Sequence, residues 1–342
     1  MRIVLIGCGV VGQSLLKILS HLKTELVRKH DLHPKVVAVA DKGGAAINLK
    51  GLNLERMLFL KTQKGTVAAC NSCGRLGMSS LDVIESVEAE VLVEATSTNV
   101  KDGEPGLSNI KTALRTGKHV ITTNKGPLAL AMPVLTELAE RNEVYFRFSG
   151  AVGAGTPILD LAKRCLSGDR IISIRGILNG TTNYSLTEME EKRITLQQAL
   201  ANAQKLGYAE ADVSMDVDGI DSACKLVIMA NWIMNKRFTL RNVDIQGVRG
   251  VTLKDLQEAT RKGCMLKLIA SIINDDLKVK PTEIARHDPL CVNGVLNAVT
   301  FVSKFAGEIT IIGRGAGGME TSSAILRDLL DVKQDSASKR TV

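Results

Sequence analysis

The chain has 342 residues, 45% of them hydrophobic and 23% charged, which leaves room for two domains at roughly 150 residues each and lies far from disordered, collagen-like or membrane-protein composition. No apolar stretch approaches the ~20 residues of a bilayer span, and the run Arg2–Gly7 is too short for a signal peptide, so a cytoplasmic address is expected. The net charge of +8 is dispersed and aromatic residues are only 3%, which argues against nucleic-acid tracking and for a solvated surface that meets an anionic small ligand.

Residues 2–6 are a short apolar run ending at Gly7, and Leu15, Leu16, Ile18, Leu19 and Leu22 then recur at helical spacing. Between them, Gly7-Cys8-Gly9-Val10-Val11-Gly12 reads GxGxxG in the strand–turn–helix context that the pattern needs. Gly7 permits the tight turn, Gly9 the approach of a pyrophosphate, and Gly12 close helix–strand packing, while the helix N-terminus at Val10 and Val11 attracts phosphate. Residues 23–34 read as a polar loop. Lys35–Ala40 then reads as a strand buried on both faces, and it ends at Asp41. An acidic group there suits an adenosine ribose; it stands 29 residues after Gly12, later than the usual ~20, and the polar loop accounts for the surplus. Asp41 favours NAD and the adjoining Lys42 tolerates a 2′-phosphate, so the cofactor is NAD or NADP.

Residues 43–80 form an irregular excursion with room for one helix. Within it, Cys70 and Cys73 make a lone CxxC, read as a buried or loop thiol pair rather than half of a zinc site. Seven scattered cysteines argue against a disulfide framework and for a reducing compartment. Strands are expected at 91–95 and 119–122, with a helix near 107–116 closed by Gly117. The second half is expected to open near residue 145 with a strand, the glycine-rich turn 150–155 and a helix from Pro157.

The densest chemistry lies at Gly207-Tyr208-Ala209-Glu210-Ala211-Asp212, then Asp216-Val217-Asp218-Gly219-Ile220-Asp221 and Lys225. From about Asp218 the chain reads as helical, which sets Asp221 and Lys225 at i and i+4 on one face. A lysine suits hydride transfer to an aldehyde, because an ammonium can protonate and stabilise the alkoxide that forms. The carboxylates suit a substrate that keeps a free α-ammonium.

Four more segments complete the pattern: Thr122–Pro127, Val152–Pro157, Ile177–Tyr184 and Gly313–Gly317. With the acidic block they resemble homoserine dehydrogenase, in the right order from Arg2 to about residue 330. The resemblance implies interconversion of L-homoserine and L-aspartate 4-semialdehyde with NAD or NADP, in threonine and methionine biosynthesis. It implies Lys225 as general acid/base, Glu210 and Asp221 as substrate ligands, and Asp216 lining the same pocket. Lys125 would lie between nicotinamide and substrate, with Thr96, Ser97, Thr123 and Gly317 completing the cofactor site. It also implies a homodimer paired through the second half, and neither an appended regulatory domain nor a kinase region is expected. The fold class is α/β, a Rossmann-type dinucleotide-binding domain of residues 1–135 with 308–335, plus an α+β catalytic and dimerisation domain of residues 136–307. Where the family often has a glutamate before Val-Gly-Ala-Gly, this chain has Ser149; the carbonyls of Val152 and Ala154 remain for sodium, but no metal is assigned. Ala211 replaces the proline that often follows the family's Gly-Tyr-x-Glu.

Two other readings compete. Aspartate-semialdehyde dehydrogenase needs a nucleophilic cysteine with a histidine partner, and no cysteine here has an evident one. A dinucleotide-sensing protein without catalysis would explain Gly7 to Asp41 but not the joint occurrence of Lys125, Glu210, Asp221 and Lys225. Another amino-acid semialdehyde reductase remains a variant of the main reading.

Overall fold

The first strand, β1 (Arg2–Ile6), is followed by α1 (Val10–His21), α2 (Lys23–His30) and β2 (Lys35–Asp41). The polar stretch expected as a loop is thus largely helical. Only Leu26 of α2 is buried, and a Glu25–Lys29 ion pair spans i and i+4 on its exposed side, so no apolar periodicity betrays it. The excursion that follows contains β3 (Gly44–Ile47), α3 (Leu54–Lys64), a 3-10 turn at Val67–Ala69 and β4 (Gly74–Leu76). Its β3 and β4 pair antiparallel and extend the sheet beyond β2. Cys70 and Cys73 are joined as a disulfide, with 5.4 Å between their Cα atoms, which corrects the expected pair of buried or loop thiols.

The sheet resumes through α4 (Ser80–Ser86), β5 (Val91–Glu94), α5 (Gly106–Arg115), β6 (His119–Thr122), α6 (Lys125–Arg141) and β7 (Phe146–Arg147). Strand order is β4-β3-β2-β1-β5-β6-β7, and every pairing from β2 through β7 is parallel. The order reverses between β1 and β5. In an open α/β sheet that is where a ligand settles, at the carboxyl ends of the strands.

The strand expected to open the second half is β7, but it pairs with β6 and closes this first sheet. At two residues it is too short to declare its sheet from sequence. The computed structural model describes residues 1–339 and divides into two compact units, Met1–Gly155 together with the chain from Gly317 on, and Thr156–Ala316. These divisions fall later than the 135/136 and 307/308 drawn from sequence.

The second unit begins with α7 (Ile158–Asp160), which continues as a π-helical turn to Cys165. There follow β8 (Ile171–Ile177), α8 (Gly180–Lys192), α9 (Leu196–Lys205), α10 (Ser214–Val217), α11 (Ile220–Ile233) and β9 (Val243–Ile245). Then come α12 (Leu253–Arg261), β10 (Cys264–Ile273), β11 (Asp276–Ala285), β12 (Leu296–Ser303) and β13 (Gly307–Arg314). They form one sheet in the order β13-β12-β8-β10-β11-β9, antiparallel except for the β11–β9 pair, with α8, α11 and α12 against β10.

The last helix, α13 (Gly318–Lys339), belongs to the first unit, where Ile325, Leu329 and Val332 are wholly buried in a core shared with Leu5, Leu15 and Leu19. Among the described residues no helix is long and apolar enough to cross a membrane.

Candidate active site

In the first unit the glycines of the β1–α1 turn are used in three different ways. Gly7 has φ +99°, and a Cβ there would strike the carbonyl oxygen of Ala95 at 2.4 Å, so only glycine lets β1 and β5 end side by side. A Cβ on Gly12 would meet the Gly7 carbonyl oxygen at 2.1 Å. A Cβ on Gly9 would meet nothing within 4 Å. Local packing therefore does not require glycine at position 9, whereas the approach of a pyrophosphate to the N-terminus of α1 does, so the residues present fit a dinucleotide. Gly317 has φ +124°, and the neighbouring Gly318 lies against Val10 and Ser14 of α1, with Ser322 donating to the Val11 carbonyl at 2.9 Å. The late glycines thus border the same turn.

At the carboxyl ends of β5 and β6, Glu94 is wholly buried. Its carboxylate accepts from the Thr96 backbone N–H at 3.1 Å, from the Thr96 hydroxyl, and from the Thr122 hydroxyl at 3.0 Å. Burial pushes the Glu94 carboxyl above the ordinary glutamate range, and those donors oppose the shift. Asn124 donates to Thr96 Oγ1 at 3.2 Å and to the Ser97 carbonyl at 3.3 Å, and it caps α6 by accepting from Gly126 N at 3.1 Å. Thr123 N donates to the Glu94 carbonyl at 3.2 Å. One network thereby sets Thr96, Ser97, Thr123 and Lys125, the first residue of α6. Sequence reasoning missed Glu94 and Asn124; a glutamate inside an otherwise apolar buried strand was the available signal.

Asp41, assigned from sequence to the ribose, is already occupied. One oxygen accepts from Gly43 N at 2.9 Å and Thr66 Oγ1 at 2.7 Å, the other from Lys61 Nζ at 2.8 Å and Val67 N at 3.1 Å. A carboxylate offers about four lone-pair positions, so a ribose hydroxyl must share or displace one of these donors. Burial opposes the Asp41 charge, but the bonds from Lys61, Thr66, Gly43 and Val67 outweigh it and hold the carboxyl below its usual range. At Ser149 the backbone N–H donates to Asp328 Oδ2 of α13 at 3.0 Å, so a carboxylate does reach this turn.

In the second unit, α8 and α11 converge at their N-termini. The side-chain oxygen of Asn179 caps α8 by accepting from Thr182 N at 2.8 Å, and its amide donates to Asp216 Oδ1 at 2.6 Å and Asp221 Oδ2 at 2.9 Å. Helix α11 starts at Ile220 rather than Asp218, because Gly219 adopts φ +81° and separates it from α10. Residues 221–231 of α11 are buried without interruption, so the two charged groups among them must be satisfied inside the protein. Lys225 Nζ meets Asp221 Oδ2 at 2.8 Å and donates to the Leu178 carbonyl at 2.6 Å. Burial first, and then the like charge of Asp221, pushes the Asp216 carboxyl up, against hydrogen bonds from Asn179 and Thr181.

The structure brings Asp216, Asp221 and Lys225 together and adds Asn179, whose N-cap position before a run of Thr and Asn was its sequence signal. Glu210 is exposed in the loop before α10, where its carbonyl accepts from Gln204 Nε2 at 3.1 Å. Among the described residues no group of three or more His, Cys, Asp or Glu is placed to hold a metal ion.

A dinucleotide fold and a separate cluster of one lysine with carboxylates define an NAD(P)-dependent oxidoreductase. Known proteins narrow the class. The family model described as "Homoserine dehydrogenase" matches residues 157–330, and that described as "Homoserine dehydrogenase, NAD binding domain" matches residues 7–149. A homoserine dehydrogenase of Methanocaldococcus jannaschii is 42% identical over 97% of this chain and 98% of its own. An NAD(+)-dependent homoserine dehydrogenase of Pseudomonas canavaninivorans is 37% identical over 99% and 98%. The crystal structure of a putative homoserine dehydrogenase from Archaeoglobus fulgidus superposes with a TM-score of 0.90 at 39% identity, covering 97% of this chain and 99% of that one. The chain belongs to the homoserine dehydrogenase family. Its activity is the NAD(P)-dependent interconversion of L-homoserine and L-aspartate 4-semialdehyde, a step of amino-acid biosynthesis.

Asp41 supplies a test of the first unit. Its folded carboxyl titrates below the unfolded one, so its contribution to stability is present above the unfolded value, around pH 4, and is lost as pH falls through the folded value. Asp41→Asn is expected to melt several degrees below wild type at pH 7, with the gap closing under acid, as read by thermal melts across pH.

Proposed function

We propose that Lys225 is the general acid/base of this reaction and that Asp216 and Asp221 bind the amino-acid end of the substrate, with Glu210 as a further ligand. What carries the reading is a buried ammonium held by one carboxylate and one backbone carbonyl, at 2.8 and 2.6 Å. Bound NAD(P) supplies or takes up the hydride. In the reductive direction Lys225 gives a proton to the aldehyde oxygen as it becomes an alcohol, and in the oxidative direction it takes that proton back. Asp221 keeps the amine in place and offsets the cost of burying its charge. Asn179 donates to both carboxylates and so lowers their mutual repulsion, and a substrate ammonium would add a further positive partner for Asp216.

In the first unit, Gly7, Gly9, Val10, Val11, Gly12, Thr96, Ser97, Thr123 and Gly317 are assigned to the cofactor, with Lys125 toward its nicotinamide end. Asp41 orders the wall on the ribose side by fixing Lys61 and the 3-10 turn at 67–69. The sheet of the second unit is assigned to pairing with a second copy, giving a homodimer that light scattering would report as twice the chain mass. A cytoplasmic location accords with the use of a soluble nicotinamide cofactor.

Arginine at position 225 preserves a cation for Asp221 but does not give up its proton near neutral pH. Lys225→Arg is therefore expected to lose about 100-fold or more of kcat, while NAD(P)H binding and the melting temperature stay close to wild type. The check is absorbance at 340 nm with aspartate semialdehyde and either NADH or NADPH. Turnover preserved in that variant would remove Lys225 from the chemistry.

A further inference from the structure

Lys267, on β10, is wholly buried, and the mechanism above does not use it. Its amine donates to Asn183 Oδ1 at 2.9 Å, Thr187 Oγ1 at 3.2 Å and Asn293 Oδ1 at 2.9 Å. All three acceptors are neutral. Burial lowers the amine to about 8, and the charges it feels come from Cys291, Glu190, Glu191 and Arg286. A buried amine without a carboxylate partner stabilises a fold poorly compared with an apolar side chain of the same shape. Its use must lie in what it holds.

Two of its acceptors, Asn183 and Thr187, lie on α8, and the third is in the segment between β11 and β12. That segment is itself laid on α8. Asn183 donates to the Val292 and Leu296 carbonyls at 3.1 and 2.9 Å, and Gly294 N donates to Thr187 Oγ1 at 3.3 Å. A Cβ at Gly180, the first residue of α8, would come within 2.9 Å of the Val295 carbonyl oxygen. The amine is thus the junction of a central strand, α8 and this segment. One turn toward the N-terminus from Asn183, at i−4 on the same face, stands Asn179, and before it the Leu178 carbonyl that receives Lys225.

We propose that Lys267 is a positioning residue for proton transfer: its three hydrogen bonds hold α8 in the register that brings the Asn179 amide to Asp216 and Asp221 and the Leu178 carbonyl to Lys225. The inference rests on the role given to Lys225, and Lys225→Arg tests that role separately.

The experiment uses the full-length enzyme with three substitutions, Lys267→Met, Thr187→Val and Asn293→Ala. Asn293 is exposed, so its removal takes away one acceptor with little risk to folding and keeps the test open if Lys267→Met does not fold. Displacement of reacting groups by a fraction of an ångström costs on the order of 10- to 100-fold, so Lys267→Met is expected to lose about that much kcat, and the other two less. All three should displace the pH profile of kcat by about half a unit or more, since the surroundings of the proton-transferring group change. The dissociation constant for NADH, measured by fluorescence, should stay within about twofold because its ligands lie in the other unit. Variants that melt earlier yet keep wild-type kcat and an unmoved pH profile would reduce Lys267 to a structural role and overturn the proposal.

Discussion

The chemistry of the second unit depends on keeping two carboxylates and an ammonium in one buried space. Asp216 and Asp221 are drawn to the same amide of Asn179, at 2.6 and 2.9 Å, and Lys225 closes the group from one turn along α11. Left to themselves, two neighbouring carboxylates in a low-dielectric site would force one to stay protonated. The shared amide and the lysine oppose that tendency, although burial and the charge of Asp221 still hold the Asp216 carboxyl above its ordinary range. Other features around the group serve that end. Gly219 breaks the chain so that α11 starts with Asp221 in its first turn, and the cap on α8 is the same side chain that bridges the acids.

The first unit also buries a carboxyl and surrounds it with donors. Glu94 sits where a hydrophobic residue would be expected, at the end of a parallel strand, and organises Thr96, Thr122 and, with Asn124, the start of α6. Burial raises its carboxyl, and hydrogen bonds from Thr96, Thr122 and Asn124 oppose that shift. Such a carboxyl makes sense as scaffolding for residues that must present hydroxyls and backbone N–H groups to a polar cofactor.

How much of this was legible in the sequence follows from how local each feature is. The β1–α1 turn, β2, β5 and β6 could be read because continuous apolar runs and glycine spacing are properties of adjacent residues. The Asp221–Lys225 pair could be read because helical spacing places it. Helix α2 was missed because it buries a single leucine, and β3 and β4 because Gly-Ala-Ala and Gly-Arg-Leu carry no strand signal until they pair. β7 was assigned to the wrong half because two residues do not show which sheet they join. The Cys70–Cys73 bond depended on the turn that brings the thiols together, and general cysteine usage pointed the other way. The occupied state of Asp41 was out of reach because its donors Lys61, Thr66 and Val67 come 20 to 26 residues later in the chain. Asn179 lay within a recognised segment, yet its bonds to Asp216 and Asp221 span 37 and 42 residues.

The central claim is that the Asn179 amide lets two acids and one lysine work as a unit, and Asn179→Ala measures it most directly. The account predicts that kcat/KM for homoserine falls by about 100-fold or more, with the NADH dissociation constant unchanged. A variant that turns over homoserine at the wild-type rate would contradict it.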